Sequence, residues 1–334
     1  MTETTQKKRL TTSAMIASFV DPGQRTTKAP FGHALVKLAE ERPEVVGLSA
    51  DLAKYTDMHV FRDAHPERFF QMGMAEQAML GAAAGMAEVG LLPFATTYSV
   101  FATRRAYDFL CLDIAEPGLN VNVAGALPGL TTGYGPSHQA TEDLAILRGM
   151  PGLTIVDPCD SVDIEQAVPE LAAAPGPTYL RLLRGAVPTV LDEYDYAFEV
   201  GRAAELRGGR DVLMVATGLM TMRALHAAER LEKDGIDVAV LHVPTIKPLD
   251  TETILAAATA GGRLVMTLEN HTVVGGLSEA VASAVAFTGA GVRVVPVALP
   301  DEFLAAGALP TLHDRYGLST DAVVERTRAE LSTG

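Results

Sequence analysis

The chain lacks the features that would tie it to a membrane, a nucleic acid or an oxidising compartment. Its 334 residues contain no unbroken run of 18 uncharged apolar residues, which a membrane-spanning helix needs. The formal net charge of −14 at pH 7 argues against binding to nucleic acid or to an anionic membrane surface. Two cysteines, Cys111 and Cys159, are too few for a disulfide framework or a zinc site. We therefore expect a cytoplasmic protein without a metal site of its own.

The first 27 residues differ in composition from the rest of the chain. They are polar, with threonine-rich and basic stretches and one short apolar patch at residues 14–20. A signal-peptide core with its cleavage site is absent from this stretch. We predict a loosely ordered N-terminal arm at residues 1–27.

From residue 30 onward, helical and strand-like segments alternate along the chain. Hydrophobic residues make up 48% of the sequence, enough for a large core, and the chain length predicts two domains. Alternation of this kind is typical of βαβ units with mostly parallel sheets. We therefore predict an α/β fold with two doubly wound domains, at residues 28–187 and 209–334. A linker at residues 188–208, with an acidic run, joins them.

One carboxylate, Glu76, stands at the head of a segment that is otherwise uncharged as far as Met86. A helix that is apolar on every side is expected to be buried on all sides. A carboxylate in such a place is poorly solvated, so it holds a proton or requires a hydrogen-bond donor. Such a group is a candidate for a functional site. The alternative is a glutamate placed at a helix start by the helix dipole.

Several polar or aromatic residues follow predicted strands. Asp51, Glu76, Tyr98 and the glycine-rich loop after Ala124 all come at or just after strand ends. In parallel sheets the carboxyl ends of the strands meet at one edge, where ligands bind. We expect these residues to converge there. A single helix is predicted to follow Tyr98, at residues 100–115.

The same stretches resemble a known family. Gly-Met-Ala-Glu-Gln at residues 73–77, Pro-Phe-Ala-Thr-Thr-Tyr-Ser-Val-Phe at 93–101 and Gly-Pro-Ser-His-Gln at 135–139 resemble the pyrimidine-binding domain of transketolases and of 1-deoxyxylulose-5-phosphate synthase. Thr-Gly at 217–218 and Glu-Asn-His-Thr-Val-Val-Gly-Gly-Leu at 269–277 resemble their C-terminal domain. The resemblance runs from about residue 28 to about residue 316.

One family motif is missing. Transketolases bind magnesium and the diphosphate of thiamine diphosphate through a further domain marked by Gly-Asp-Gly, and this sequence has no Gly-Asp-Gly. The resemblance therefore implies the C-terminal subunit of a split transketolase. A separate N-terminal chain would hold most of the thiamine diphosphate and Mg²⁺, and the pair would form a dimer of heterodimers. The implied reaction moves a two-carbon ketol unit from a ketose, or its phosphate, to an aldose or its phosphate.

The resemblance also implies which residues contact the cofactor. Glu76 matches the glutamate that hydrogen-bonds the aminopyrimidine ring and activates the cofactor, which makes it catalytic. Tyr98 and Phe101 match the aromatic wall around that ring, with core packing as the alternative. Arg104 matches a cofactor-proximal arginine, although the neighbouring Arg105 fits the alignment equally. Asp51 matches an acidic residue near the cofactor, with a helix N-cap as the alternative.

The implied substrate contacts lie in two places. His138 matches an active-site histidine that contacts substrate hydroxyls, with a structural histidine as the alternative. Arg184 matches the arginine that binds the phosphate of sugar phosphates, with Arg181 as the alternative ligand. Lys28 stands where an arginine often assists. His271, in the second domain, is predicted to be structural or interfacial.

Some positions depart from the family pattern. Tyr134 replaces an aspartate that recognises a substrate hydroxyl, Ser137 replaces a threonine, and Tyr55 replaces a serine of the phosphate site. These changes imply a nonstandard donor or acceptor, including one with a different anionic tail. Two other functions remain open: the β-subunit of a 2-oxoacid dehydrogenase, and a non-catalytic regulatory paralogue. The Gly-Pro-Ser-His-Gln loop favours transketolase, and the intact Glu76 and His138 argue against the paralogue.

Overall fold

The computed structural model describes residues 24–332, so residues 1–23 of the predicted arm lie outside the described part. The described strands, in chain order, are β1 Thr26–Lys28, β2 Val45–Ser49, β3 Phe69–Gln71, β4 Leu92–Tyr98, β5 Asn122–Ala126, β6 Thr154–Val156, β7 Thr178–Leu182, β8 Ala186–Pro188, β9 Ala204–Arg207, β10 Val212–Ala216, β11 Val238–His242, β12 Thr245–Lys247, β13 Leu264–Thr272 and β14 Val294–Leu299.

The helices lie between these strands and after the last one. In chain order they are α1 Pro30–Glu41, α2 Met58–Ala64, α3 Glu76–Glu88, α4 Ser99–Arg104, α5 Asp143–Arg148, α6 Ser161–Ala173, α7 Leu219–Glu232, α8 Thr251–Thr259, α9 Leu277–Thr288, α10 Leu309–Arg315 and α11 Thr320–Ser332. Among the described residues, none of these helices combines the length and the apolar character that crossing a membrane requires.

Two mostly parallel sheets form the centre of the molecule. The first has the order β12-β6-β7-β5-β4-β2-β3, and the second has the order β14-β13-β10-β11-β9. All pairs are parallel except those of the edge strands β12 and β9, which run antiparallel to their neighbours. The predicted α/β fold with two doubly wound domains is confirmed.

The central strands are buried on both faces, which explains their apolar sequences. β2, β4, β5 and β7 are buried along their whole length, as expected for parallel strands covered by helices on both sides. Gly47 in β2 shows how closely a helix approaches. A Cβ at this position would lie 2.8 Å from Met58 Sδ and 2.8 Å from Phe61 Cδ1, both on α2. The absence of a side chain therefore lets α2 pack directly on the sheet.

The predicted boundaries need correction at two strands. β9 lies inside the stretch predicted as a linker, yet it pairs with β11 and belongs to the second sheet. β12 comes after β11 in sequence but pairs with β6, at the edge of the first sheet. β1, at the end of the predicted arm, pairs antiparallel with β8. These strands have three or four residues each, too short for an alternating hydrophobic pattern to be read from sequence.

The predicted helix at residues 100–115 is not continuous. α4 ends at Arg104, and after a turn the chain forms a wider π-helical segment, Phe109–Ala115. The amide of Glu116 donates to the carbonyl of Cys111, five residues earlier, which is the hydrogen bond of a π-turn. Leu110 and Ile114 are buried by this arrangement, whereas Leu112 is 57% exposed.

Candidate active site

Glu76 is the first residue of α3 and is 4% exposed. The chain reaches it from β3 through a turn in which Gly73 has φ +69°, a left-handed conformation that favours glycine. The Oε1 atom of Glu76 lies 3.2 Å from Nη1 of Arg105. The carboxylate therefore has a cationic hydrogen-bond donor, the second of the two outcomes predicted for a poorly solvated acid.

The prediction that α3 is buried on all sides is wrong for this chain. Met79, Leu80 and Ala83 are buried, but Gln77, Ala78 and Gly85 are exposed. A Cβ added to Gly85 would meet no atom within 4 Å. One face of this uncharged helix thus packs into the core, and its other face is not covered by any of the described residues.

Three rings form a cluster next to this site. The ring centroids of Tyr98 and Phe101 are 5.7 Å apart, and that of His138 lies 6.1 Å from Tyr98 and 5.6 Å from Phe101. The guanidinium carbon of Arg105 lies 3.9 Å from the centroid of Phe101, a cation–π contact. Arg105 therefore connects the carboxylate of Glu76 to the aromatic cluster.

The two neighbouring arginines have different partners. Arg104 forms an ion pair with Glu142 and donates to the carbonyl oxygens of Pro136, at 2.9 Å, and Gln139, at 3.2 Å. It braces the loop that carries His138, whereas Arg105 contacts Glu76 and Phe101. The structure brings Arg105 rather than Arg104 to the predicted cofactor residues, so the cofactor contact of Arg104 stays a prediction.

The loop of His138 is held by the second domain. The amide of Leu130 donates to Oδ1 of Asn270 at 2.8 Å, and Nε2 of His313 donates to the carbonyl of Leu130 at 2.7 Å. Nε2 of Gln139 donates to the carbonyl of Ala305 at 3.2 Å. Residues from three places in the second domain therefore fix both ends of this loop.

His138 is half-buried in its loop. Its Nδ1 lies 2.9 Å from the hydroxyl of Ser137, and its ring lies edge-on to that of Tyr134, with centroids 5.5 Å apart. Tyr134 is 51% exposed. The tyrosine that replaces the family aspartate thus lies beside the predicted substrate histidine, at the mouth of the site.

The pairing of β1 with β8 brings the backbone at Lys28 close to the segment that follows Arg184. Lys28 is in register with Ala186, and the amide of Ala29 donates to the carbonyl of Gly185 at 2.7 Å. Arg184 is 6% exposed, and its guanidinium carbon lies 5.5 Å from the ring centroid of Tyr55. The backbone of Lys28 thus lies beside the residues that follow Arg184, and the Arg184 side chain lies next to an exposed ring.

This region adjoins the aromatic cluster. Burial raises the pKa of Tyr98, the nearby positive charge of Arg184 lowers it, and the hydroxyls of Tyr55 and Tyr134 also act on it. Arg184, Tyr55, Tyr98 and Tyr134 therefore lie within electrostatic reach of one another, and the two predicted substrate regions are continuous.

Arg181, the alternative anion ligand, is 1% exposed, and its guanidinium donates hydrogen bonds to groups of the protein itself. Its Nε and Nη2 donate to Asp143 at 2.9 and 3.0 Å, Nη1 donates to Asp157 at 2.8 Å, and Nη2 also donates to the carbonyl of Asn270 at 3.0 Å. A side chain with these partners is not accessible to a substrate. The structure therefore favours Arg184 over Arg181.

Asp51 is exposed and has φ +60°. Its amide donates to Oε1 of Gln71 at 2.8 Å, and Nε2 of Gln71 lies 3.4 Å from its carboxylate. The short 3₁₀ turn that follows, Ala53–Tyr55, has no side-chain cap. The helix N-cap alternative thus finds no support, and the carboxylate faces the surface beside Gln71.

The Glu-Asn-His motif at residues 269–271 is structural. Glu269 accepts hydrogen bonds from the amides of Leu277 and Ser278 at the start of α9, and burial raises its pKa to about 7. His271 donates from Nδ1 to the carbonyl of Thr272 at 2.7 Å, and burial lowers its pKa to about 4. These groups are enclosed, which agrees with the prediction for His271.

His242 is also buried and lies between the domains. Nε2 of His242 is 2.9 Å from Oδ2 of Asp163, and its Nδ1 is 2.8 Å from the hydroxyl of Thr221. The amide of Cys159 donates to the same aspartate oxygen at 2.8 Å. Both ring nitrogens and the carboxylate are engaged, so this cluster belongs to the packing of α6 against β11.

Sequence reasoning missed Asp57, which is 2% exposed. Both of its carboxylate oxygens accept the amide of Gly185, at 3.1 and 2.9 Å. This contact joins positions 128 residues apart, and no motif of the sequence marks it.

Two domain families match this chain. Residues 23–189 match the family described as "Transketolase, pyrimidine binding domain", and residues 201–323 match "Transketolase, C-terminal domain". The chain belongs to the transketolase family. The resemblance inferred from the motifs is confirmed, and both matched segments belong to this family.

Relatives in the transketolase family cover nearly the whole chain. A transketolase family protein of Sinorhizobium fredii is 65% identical over 97% of this chain and 94% of its own length. The 6-deoxy-6-sulfo-D-fructose transketolase subunit of Clostridium sp. strain MSTE9 is 38% identical over 87% of this chain and 89% of its own. A solved structure described as a split-gene transketolase in an inactive β4 tetramer superposes with a TM-score of 0.84, at 40% identity over 92% of this chain and 99% of that one.

Proposed function

We propose that this chain is a subunit of a thiamine-diphosphate-dependent transketolase that acts with a separate diphosphate-binding subunit. The reaction transfers a two-carbon ketol unit from a ketose, or its phosphate, to an aldose or its phosphate. The observation that carries the proposal is the position of Glu76. It is a buried carboxylate at a helix start, and Arg105 connects it to an aromatic cluster that contains His138. The names of the split-gene and sulfofructose relatives support it.

The residues present fit the aminopyrimidine part of the cofactor. An open cleft of about 570 Å³ is lined by Glu76, Arg104, Arg105 and the residues around them. A carboxyl group suits a ring nitrogen when one proton lies between them, and the flat faces of Tyr98 and Phe101 suit a flat aromatic ring. The two arginines are unsuited to binding Mg²⁺, which prefers oxygen ligands. We therefore assign the metal and the diphosphate to the partner subunit.

Each side chain then has a separate task. Thiamine diphosphate, when bound, supplies the electron sink for the two-carbon unit. Glu76 holds a hydrogen bond to the pyrimidine ring, and Tyr98 with Phe101 excludes water from its faces. His138 contacts substrate hydroxyls and holds or accepts a proton there. Asp51 lies at the surface that meets the partner near the cofactor.

Arg184 and Lys28 bind the anionic end of the sugar. Their charges support this role, as does the pairing of Lys28 with Ala186, two residues after Arg184. The presence of Tyr55 beside Arg184, and of Tyr134 beside His138, supports a substrate other than the usual phosphosugars. The Clostridium relative, named for a sulfonated sugar, gives one example of a different anionic tail. A substrate with a singly charged tail therefore deserves testing beside the phosphosugars.

The open face of α3 supports a partner at this site. Met74, just before the helix, is 82% exposed, and Leu112, on the neighbouring π-helical segment, is 57% exposed. Ala78 and Gly85 add small apolar positions to the same exposed region. Exposed apolar patches of this kind mark protein interfaces. We assign this surface to assembly with the diphosphate-binding chain and with a second copy of the pair.

Reconstitution tests the division of labour. We expect the purified chain alone to be inactive, because Mg²⁺ and the diphosphate lack their ligands. Addition of the co-purifying partner and thiamine diphosphate should restore ketol transfer, measured with a panel of ketose donors and aldose acceptors. Turnover of sugar phosphates by the chain alone would refute the split arrangement. Decarboxylation of pyruvate by the pair, without ketol transfer, would point to a 2-oxoacid dehydrogenase instead.

Substitution of Glu76 tests the catalytic assignment. In the reconstituted pair, Glu76→Gln and Glu76→Ala should lower kcat by about 100-fold or more, the scale of a lost proton-transfer partner. The melting temperature of the chain should change little. Glu88→Gln is the matched control, because Glu88 is an exposed acid at the other end of α3. Near-normal turnover of the Glu76→Ala pair would remove this residue from the mechanism. Failure of the wild-type pair to bind thiamine diphosphate would favour a non-catalytic subunit.

A further inference from the structure

Asp57 has an unusual position for a carboxylate. It precedes α2 with φ +58°, is 2% exposed, and accepts the amide of Gly185 through both oxygens. Gly185 has φ +75° and directly follows Arg184. An aspartate with a left-handed backbone conformation thus forms hydrogen bonds to the backbone next to the cationic side chain of the proposed anion site.

The charges around Asp57 come from three elements. Arg184, after β7, is the strongest of the cations acting on it, followed by His59 on α2 and His33 on α1. Burial raises the pKa of Asp57 to about 6, although the amide of Gly185 and these positive groups lower it. The acid therefore changes its charge within the range in which enzymes are assayed.

We propose that Asp57 is a positioning residue of the Arg184 site and that its negative charge weakens the binding of doubly charged anions there more than that of singly charged ones. The inference rests on the proposed function, since Arg184 is taken to bind the anionic end of a sugar. Its two hydrogen bonds to the amide of Gly185 hold the backbone next to Arg184 in place. They therefore fix the position from which the Arg184 side chain extends. Its charge offsets that of Arg184, so that the buried pair is close to neutral when Asp57 is ionised.

Coulomb's law sets the form of this preference. A buried carboxylate repels a doubly charged anion with twice the energy that it exerts on a singly charged one at the same place. The factor lost in affinity for the dianion is therefore the square of the factor lost for the monoanion. The charge of Asp57 thus shifts the preference of the site away from a phosphate dianion and towards a sulfonate or carboxylate tail. Protonation of Asp57 removes the repulsion, so anion binding is tighter below pH 6 than above it.

Two substitutions separate position from charge. In Asp57→Asn the amide oxygen still accepts the amide of Gly185, but the charge is gone. At pH 7.5 we expect affinity to rise about threefold for methanesulfonate and about tenfold for sulfate. In Asp57→Ala both the charge and the hydrogen bonds are lost, so both anions should bind more weakly than in Asp57→Asn. Rescue by asparagine, but not by alanine, is the signature of a positioning residue.

Anion affinity is measured on the full chain without turnover. The melting temperature is followed as sodium sulfate or sodium methanesulfonate replaces sodium chloride at constant ionic strength, from pH 5 to pH 8. Both anions keep their charge over this range. Arg184→Gln gives the response to salt that does not depend on the site. Asp63→Asn removes an exposed acid from α2 and is the matched control for charge.

The wild type should bind sulfate more tightly as the pH falls through about 6. His33 and His59, the other charged groups that act on Asp57, remain in Asp57→Asn, so the difference between the two proteins isolates Asp57. Equal sulfate affinity in the wild type and Asp57→Asn, or equal pH dependence, would overturn the proposal. Equal responses in the wild type and Arg184→Gln would remove the anion site itself, and the proposal with it. The Glu76 variants test transketolase activity separately, so the two failures are distinguishable.

Discussion

Replacement of Arg181 by methionine should destabilise the chain strongly, because the guanidinium of Arg181 neutralises two buried carboxylates. Arg181 lies in β7, in the interior of the first sheet, and is 1% exposed. It forms ion pairs with Asp143 at 2.9 Å and with Asp157 at 2.8 Å, and it donates to the carbonyl of Asn270 in the second domain at 3.0 Å. Methionine fills a similar apolar volume along the stem, so the main change is the loss of the guanidinium.

The magnitude follows from the two carboxylates that remain. Removal of one partner from a buried ion pair costs about 3–5 kcal/mol, because the other charge is left without compensation. We therefore expect Arg181→Met to lower the free energy of unfolding by about 3–5 kcal/mol at pH 7.5. Arg202→Gln is the control: its ion pair with Glu199 is 61% and 70% exposed, and loss of such a pair costs roughly 0–1 kcal/mol.

The cost should depend on pH in a definite direction. Burial raises the pKa of Asp157 even beside Arg181, and loss of the cation raises it further. A carboxyl group with a raised folded-state pKa loses stability as the pH rises, so the variant should approach the wild type on acidification. Urea unfolding at pH 7.5 and pH 5, followed by circular dichroism, measures both effects. A loss below about 1 kcal/mol at pH 7.5, or a gap that widens at pH 5, would refute the reasoning.

Three further substitutions test contacts of the second domain. Asn270→Ala leaves the buried amide of Leu130 without its 2.8 Å acceptor; we expect a loss of about 1–3 kcal/mol in urea unfolding and a higher KM of the reconstituted pair. Burial lowers the pKa of His313 to about 4, so this residue should account for roughly 3 kcal/mol of the stability that the wild type loses as the pH falls from 6.5 to 4. His313→Gln should lose about that much less in the same measurement, while the loss due to His271, whose pKa burial also lowers to about 4, remains. Gly276→Ala would place a Cβ 1.9 Å from Oε2 of Glu269, so thermal unfolding should show a loss of about 1–3 kcal/mol; an unchanged melting temperature would mean that the carboxylate moves freely.

The sheets could be predicted from sequence because their central strands are buried on both faces. β4 is seven residues long and buried throughout, so its apolar run is readable without any knowledge of its neighbours. β12 has three residues and pairs with β6, a contact decided by tertiary packing. The order of helices and strands can therefore be predicted from the local sequence of this chain. The strands at the edges of its sheets cannot, because their pairing depends on tertiary contacts.

The candidate site likewise contains residues that the sequence predicts and residues that only the tertiary structure reveals. Glu76, Tyr98, Phe101 and His138 belong to motifs, and the structure brings the three aromatic rings together, with Glu76 joined to them through Arg105. Arg104 and Arg105 differ by one position, which in a helix is about 100° of rotation, so only the end of α4 decides which of them faces Glu76. Contacts between distant positions, such as that of Asp57 with Gly185, carry no sequence signature.

β12 follows β11 in the second domain but pairs with β6 in the first sheet. This pairing connects the two domains non-covalently, in addition to the chain that joins them. Besides the backbone pairing, Lys247 of this strand donates to the carbonyls of Arg148 and Met150. A fragment cut after residue 208 would leave β6 with a bare edge, open to pairing with other chains. The first half therefore depends on a strand of the second half to cover its edge, and a swap of either half between relatives would have to bring a matching three-residue strand with it.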